Sequence, residues 1–419
     1  MSVLEKGQLH GRVLVLGGAD RMVLPILRSL GRRGIGVHVA WCSPGAWITR
    51  SRYLTARHPI PSPREDPAGW RAALVELTKR ERFDLVIPTT DIENTACQLH
   101  RGELEPHMPL YLLSPEAFRA SVDKVETMRL ATALGVPCPR SVILTNPAAM
   151  DEGLEQISVP AVVKPCSSFA EESLYEKRHV RRVFSRDDLR RLVAEALVAG
   201  HPVIVQELVA GSGAGVELLA HEGEILYAFQ HVRLHESVGW GSTYRMSTPV
   251  TPELLHASAR LLRAVRHTGI AMVEFRVDPE KGSWHLMEIN GRFWGSLPLA
   301  VAAGADFPFF LYEMLVRGKR EFPPGYRNGV RSRGLTLDAR WFGRQLRSSR
   351  DKGAAGWDVN RVSGSKLVVE LARALTFRDH VDTLSRDDPG PFLAEAGDLA
   401  KLILRSLAGN TVAASLLIR

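Results

Sequence analysis

Two glutamates lie where a β-ribbon would bring them face to face. In residues 271–278, Val273, Phe275 and Val277 alternate with Glu274, Arg276 and Asp278, a period of two that marks a strand with one buried face. Residues 284–290 repeat the alternation, with Met287 and Ile289 expected on the buried side. Pro279 and Gly282 lie between the two runs, so the pair reads as an antiparallel hairpin. Pairing across residues 279–283 sets Asp278 opposite Trp284, Arg276 opposite Leu286 and Glu274 opposite Glu288, with Asn290 next on the same face. Carboxylates so opposed would stand roughly 5 Å apart at Cβ and repel each other. A magnesium ion, which takes one or two carboxylates together with phosphate oxygens and water, relieves that repulsion. The other reading is a solvated hairpin whose glutamates point to water and are neutralised by Arg276.

The elements that must position this hairpin are legible along the chain. Residues 12–16 form a short apolar strand, followed by Gly17-Gly18, a helical stretch through Leu30 and a second strand at 36–41. Another buried-type strand, 83–88, ends at Thr89-Thr90-Asp91. The first 112 residues therefore read as a doubly wound, parallel-sheet α/β domain of Rossmann-like form. The full GxGxxG fingerprint is missing, so dinucleotide binding has no support. Ser114 with Pro115 opens a helix, and a second helix runs from about Asp123 to a stop at Gly135. Residues 141–210 read as a small α+β lobe, with strands near 141–144, 160–165, 179–184 and 203–209 and a helix capped by Ser185. A larger lobe continues to about 325, and residues 326–419 read as an arginine-rich, mostly helical extension. In its last segment Leu393, Ala396, Leu399, Ala400, Ile403 and Leu407 share one helical face, which is read as a packing face. A second copy of the chain is one candidate to cover it.

Four stretches, in order, resemble the ATP-grasp superfamily, in its branch of carboxylate–amine ligases and carbamoyl phosphate synthetases. Asp123-Lys124 resembles the pair before the first nucleotide-contacting helix. Val162-Val163-Lys164-Pro165 resembles the small-lobe strand whose lysine reaches the phosphates. Val205-Gln206-Glu207-Leu208-Val209, followed by Gly211, resembles the strand and hinge that hold adenine. Glu274-Phe275 and Glu288-Ile289-Asn290-Gly291-Arg292 resemble the metal and substrate motif. The resemblance covers about residues 12–320 and implies a two-lobe ATP-grasp core over 113–325. It implies that Lys124 and Lys164 contact the ATP phosphates, and that Gln206, Glu207 and the backbone around Val209 recognise adenine. Glu274, Glu288 and Asn290 would hold one or two magnesium ions, and Arg292 would steady the carboxylate and the transferring phosphoryl group. Such a cationic clamp is what phosphoryl transfer demands. The implied activity is phosphorylation of a small carboxylate to an acyl phosphate and its capture by an amine, with ADP and phosphate as products. The loop 166–173 after Lys164 departs from the pattern, being poor in glycine, and Gly291 stands where many relatives have proline.

Other signals narrow the choice. The chain has 419 residues with a formal charge of +8, and only ten of its 54 basic residues are lysine. The basic residues are dispersed, which favours attraction of small anions over nucleic-acid binding. The densest cluster, 177–182, reads as a solvated strand edge. No apolar run approaches the ~20 residues of a membrane span, and residues 1–11 lack the pattern of a secretory signal. Four dispersed cysteines without a CxxC pair point to a reducing, cytoplasmic setting. Residues 211–215, Gly-Ser-Gly-Ala-Gly, read as a turn. Residues 230–245 read as a polar, substrate-shaping segment in which Arg233 or Arg245 meets an anionic group, or else as a surface loop. Phosphorylation of bicarbonate or another small acid, and ATP binding without turnover, remain as alternative functions.

Overall fold

The computed structural model describes residues 10–18, 20–166, 180–237, 241–348, 362–376 and 378–407. Ser167–Ser173 of the loop after Lys164 and Lys177–His179 of the basic cluster lie outside them. Arg181 and Arg182 of that cluster fall on an edge strand.

Strands β1 (Gly11–Leu16), β2 (Ile35–Ala40), β3 (Leu54–His58) and β4 (Leu85–Pro88) form a parallel sheet in the order β3-β2-β1-β4. Alternation along β1 feeds two cores. Val13 and Val15 face the helix Asp20–Gly31, while Leu14 and Leu16 face Trp70 and Leu74 of the helix Pro67–Arg80. A sheet buried on both faces is the doubly wound arrangement expected from the sequence.

A second sheet, of order β5-β8-β6-β7, comprises β5 (Ser141–Leu144), β6 (Ala161–Pro165), β7 (Arg181–Val183) and β8 (Val203–Glu207). Odd-numbered Val163, Val203 and Val205 pack against Leu189, Val193 and Leu197 of the helix Arg186–Val198. Its cap is Ser185, which accepts a bond from Asp188 N at 3.1 Å. Even-numbered Lys164 and Gln206 are left for the opposite face.

The third sheet has seven strands in the order β13-β12-β9-β10-β11-β14-β15. They are β9 (Ser212–His221), β10 (Glu224–Ser237), β11 (Gly241–Thr248), β12 (Gly269–Asp278), β13 (Ser283–Asn290), β14 (Arg331–Arg333) and β15 (His380–Val381). Its apolar face, with Val216, Leu218, Val273 and Phe275, packs on Ala131 and on Leu261 of the helix Pro252–Ala264. At one end of its other face, Phe229 and Met272 join Val23 and Leu27 of the helix Asp20–Gly31. The bent, apolar pair of helices Leu297–Ala303 and Phe307–Arg317 belongs to that same core. Among the described residues no single helix is long and apolar enough to cross a membrane.

Three sequence expectations change. Residues 211–215 are not a turn: Gly211 bends the chain at φ +101° against the Val277 carbonyl, and β9 begins at Ser212. Residues 230–245 are not a loop but the antiparallel strands β10 and β11, apart from 238–240, which lie outside the described residues. The extension is helical over Leu335–Ser348, Gly364–Leu375 and Gly390–Leu407, yet it also gives β14 and β15 to the large sheet.

The helix Gly390–Leu407 also packs on a different face from the one expected. Leu393 and Ile403 are exposed, while Pro391 and Glu395 are buried. Glu395 fixes that face by accepting bonds from Thr383 Oγ1 (2.6 Å) and Thr336 N (2.9 Å). Polar anchoring has overridden the apolar stripe.

A buried ion pair ties the extension to the N-terminal unit. Arg28 Nε donates to Asp388 Oδ2 at 2.9 Å, and Asp388 also accepts from Ser51 Oγ and Arg52 N, both at 2.8 Å. Removing one partner of such a pair strands the other charge. Asp388→Ala is expected to cost about 3–5 kcal/mol, read as a lower urea midpoint, whereas Asp398→Ala at the surface should cost under about 1 kcal/mol.

Candidate active site

The register of β12 with β13 sets Glu274 opposite Glu288. Beyond that pair β13 carries one extra residue, Met287, so Phe275 pairs with Leu286, Arg276 with His285 and Asp278 with Ser283. The expected Arg276–Leu286 and Asp278–Trp284 pairs are thus displaced by one position. This is a β-bulge, which re-aims side chains locally. It brings Leu286 into the apolar core beside Phe275 and leaves Met287, expected inside, half-buried.

Asn290 links the two carboxylates, its Nδ2 lying 3.3 Å from Glu274 Oε1 and 3.2 Å from Glu288 Oε1. The two carboxylates form an oxygen donor set suited to magnesium once phosphates complete it, while the Asn290 amide donates an N–H to each. Among the described residues no group of three His, Cys, Asp or Glu side chains forms a metal site without such help. Burial holds the Glu274 carboxyl above its usual range, with Glu288 adding to that effect and Arg233, its ion-pair partner, opposing it. Burial opposes ionisation of Glu288 too, but Lys124, Asn290, Lys164 and Arg292 outweigh it and hold that carboxyl low. Arg276, which the alternative of a solvated hairpin had neutralising the glutamates, instead pairs with Glu236 at 2.7 Å.

From the small lobe, Lys164 on β6 reaches across its sheet and donates to Gln206 Oε1 at 2.6 Å, while Gln206 Nε2 donates to Ser141 Oγ at 2.9 Å. Both ends of the Gln206 amide are therefore engaged, and its side chain orients the lysine instead of facing outward to read adenine. Glu207 and Val209, at the end of β8 and just beyond it, are partly exposed. Lys124 opens the helix Lys124–Ala133, and its backbone N–H bonds the Cys166 carbonyl at 2.9 Å, next to the strand that carries Lys164. Burial first, then Lys124, draws the Lys164 ammonium down to about 8 against the pull of Glu288.

Arg292 follows β13 and makes a bidentate pair with Asp91, Nε to Oδ1 at 2.5 Å and Nη2 to Oδ2 at 2.9 Å. Asp91 opens the helix after β4, where Thr90 and Glu93 form a capping box. Sequence reasoning did not single out Asp91. Its position at the carboxyl end of a parallel strand, where open α/β sheets bind ligands, was the available signal.

Arg233 and Arg245 stand opposite each other on β10 and β11. Arg233 is largely buried against Glu274. Arg245 is 0% exposed and bonds Asp382 at 2.5 Å, so it is not the surface residue that a loop would have presented. The same face holds Glu217 and His231, neither singled out from the sequence. Burial pushes the Glu217 carboxyl well up and the His231 imidazole well down, so each is drawn toward its neutral form. His231 Nδ1 lies 3.0 Å from Glu217 Oε1 without the alignment of a hydrogen bond, and Ser296 Oγ donates to that oxygen at 2.9 Å. Alternation in 213–219, with Gly213, Gly215 and Glu217 between Ala214, Val216 and Leu218, was the signal for this face. The glycines make room on it: a Cβ at Gly215 would lie 2.5 Å from His231 Cε1, and one at Gly213 would strike Glu236.

Comparison with known proteins agrees with this architecture. Residues 200–336 match the family described as "ATP-grasp in the biosynthetic pathway with Ter operon". The chain is 22% identical over 328 residues to a D-aspartate ligase of Enterococcus faecium, covering 73% of this chain and 77% of that protein. It is 24% identical over 253 residues to the N-terminal section of the carbamoyl phosphate synthase large chain of Aquifex aeolicus, covering 56% of this chain and 44% of that one. Its fold is similar to that of an L-amino acid ligase from Bacillus licheniformis, with a TM-score of 0.54 at 17% identity over 73% of this chain and 74% of that one. In sequence and fold the chain is thus similar to ATP-grasp carboxylate–amine ligases and carbamoyl phosphate synthases.

Two outcomes follow. A triphosphate beside Lys164 favours its charged form, so ATP binding at pH 8 should take up on the order of half a proton. Calorimetry in buffers of different ionisation enthalpy should show that uptake in the native chain and not in Lys164→Met, and equal uptake in both would discard the assignment. Gly215→Ala should lower stability by about 1–3 kcal/mol by forcing His231 aside, seen as a reduced unfolding midpoint.

Proposed function

We propose that this chain phosphorylates a small carboxylic acid with ATP and joins the acyl phosphate to an amine. The observation that carries the reading is the meeting of Glu274, Glu288 and Asn290 with the cations Lys124, Lys164 and Arg292 at one place. In this division the doubly wound unit at 1–112 and the extension at 326–419 flank an ATP-grasp core at 113–325.

The substrate carboxylate attacks the γ-phosphorus, and the bond to the β–γ bridging oxygen breaks to release ADP. The amine then attacks the acyl carbon, phosphate departs, and the proton lost by nitrogen goes to phosphate or solvent. Lys164, held by Gln206 and Ser141, and Lys124 meet the phosphates and stabilise charge on the transferring group. Glu207 and the backbone at Val209 receive the adenine end. Arg292, oriented by Asp91, faces the acid and the incoming phosphoryl oxygens. Glu274, Glu288 and Asn290 would hold one or two magnesium ions, which supply charge neutralisation on the phosphates when bound. The D-aspartate ligase and L-amino acid ligase among its relatives favour small acids and amines as substrates.

An ADP-release screen over pooled acids and amines, with magnesium, tests the proposal. Turnover is expected only with an acid and an amine together. Release with bicarbonate alone would favour a carboxylase-like activity, and ATP binding without release would make the chain a non-catalytic ATP-binding protein. Glu288→Ala is expected to slow turnover by on the order of 10²–10³-fold with an unchanged unfolding midpoint. A native rate in that variant would remove Glu288 from the machinery.

A further inference from the structure

Three guanidiniums crowd one face beside Glu274, and their charges are unequally matched. Arg233 has Glu274 as its partner, and Arg245 has Asp382. The third, Arg21, comes from the first turn of the helix Asp20–Gly31 in the N-terminal unit. Its Nη2 donates to the Ser242 carbonyl at 2.9 Å, and among the described residues it forms no ion pair. Its neighbour Asp20 is engaged elsewhere, its Oδ1 accepting the Ile48 N–H at 3.0 Å.

Arg21 lies in contact with the segment that follows the metal hairpin. A Cβ on Gly295, three residues past Arg292, would fall 3.2 Å from Arg21 Nη1, so the absence of a side chain there admits the guanidinium. Nε of Arg21, Nε of Arg233, and both Nε and Nη1 of Arg245 are buried without a hydrogen-bond partner. Arg245 itself is 0% exposed. Unsatisfied buried donors are costly, and cations packed together are costlier unless an anion joins them. Burial first and Arg245 second draw the Arg21 guanidinium down to about 10, with Arg233 contributing, against the pull of Asp382 and Glu395.

We infer that Arg21 and Arg233, backed by Arg245, bind a second carboxylate of the substrate, one that stays unreacted while another group of the same molecule enters the ligation. The inference rests on the ligase reading for the word substrate, and on the guanidinium cluster for the site. Arg21 and Arg233 retain some exposure, whereas Arg245 is fully buried and adds charge without exposed atoms. Planar guanidiniums suit a carboxylate because each offers two parallel N–H donors. The substrate class is then a dicarboxylic acid, or an amino acid whose spare carboxylate is held while its other group reacts.

The test is a calorimetric titration of the full chain, with magnesium and a non-hydrolysable ATP analogue, using acids and their matched amides. Suitable pairs are succinate with succinamate, and L- and D-aspartate with their α-amides. At least one acid is expected to bind about tenfold or more tighter than its amide. That preference should fall to below about threefold in Arg21→Gln, with affinity for the ATP analogue unchanged. Should Arg21→Gln unfold, Arg21→Lys, which keeps the charge and loses the fork, is expected to retain a reduced preference. Equal affinity for every acid and its amide, or a preference untouched by both substitutions, overturns the inference. ADP release followed in parallel separates the two ideas: a preference that depends on Arg21 without turnover would refute the ligase and leave the anion site standing.

Discussion

Two carboxylates held opposite each other across a β-ribbon are the constraint from which the rest of this structure follows. Glu274 and Glu288 sit at one cross-strand position, where like charges repel. Around them the protein gathers Arg233, Arg292, Lys124 and Lys164, which lie on four separate segments of the chain. No one of those cations is close to the glutamates in sequence except Arg292. The fold is therefore the means by which charge balance is reached, and the small lobe, the large sheet and the N-terminal unit each contribute to it. Asn290 bridges the pair, and Asp91 holds Arg292 in a bidentate pair.

The large sheet divides its labour between its faces. One is apolar and packs on helices. The other carries a polar row in which Arg276, Arg233 and Arg245 stand on β12, β10 and β11, separated by Gly213 on β9. Bulges in β10 between Arg233 and Glu236 turn Glu236 onto that row, where it meets Arg276, and send His235 to stack on Trp341 with centroids 3.5 Å apart. The extension closes the far end of the row through Asp382, which accepts from both Arg245 and Ser332. The described residues beyond Pro324 are thus part of the framework around the candidate site, as well as an anchor to the N-terminal unit through Arg28 and Asp388.

Much of this was legible in the residues. The strands of the small lobe, the cap at Ser185 and the stop at Gly135 follow from local rules of turn and cap chemistry. The Glu274–Glu288 pairing follows from counting across a hairpin. Features set by distant contacts were not legible. The bulge at Met287 depends on Leu286 finding a core shared with another sheet element, and the buried face of the last helix depends on Glu395 meeting Thr336 and Thr383. Glycines read as a turn proved to be the floor of a strand, because their role is to leave space for side chains of β10. Asp91 and Arg21 reach Arg292 and Ser242 only through the docking of the N-terminal unit, a long-range contact that local periodicity does not encode.

The central claim is that Glu274 and Glu288 are made compatible by a divalent ion carried with nucleotide. Electron paramagnetic resonance of Mn²⁺, titrated with and without ADP, tests it directly by counting free ion. Tight Mn²⁺ binding is expected only when ADP is present, and it should vanish in a Glu274→Gln, Glu288→Gln double variant that still binds ADP weakly. Mn²⁺ bound as tightly by the double variant as by the native chain would contradict the account.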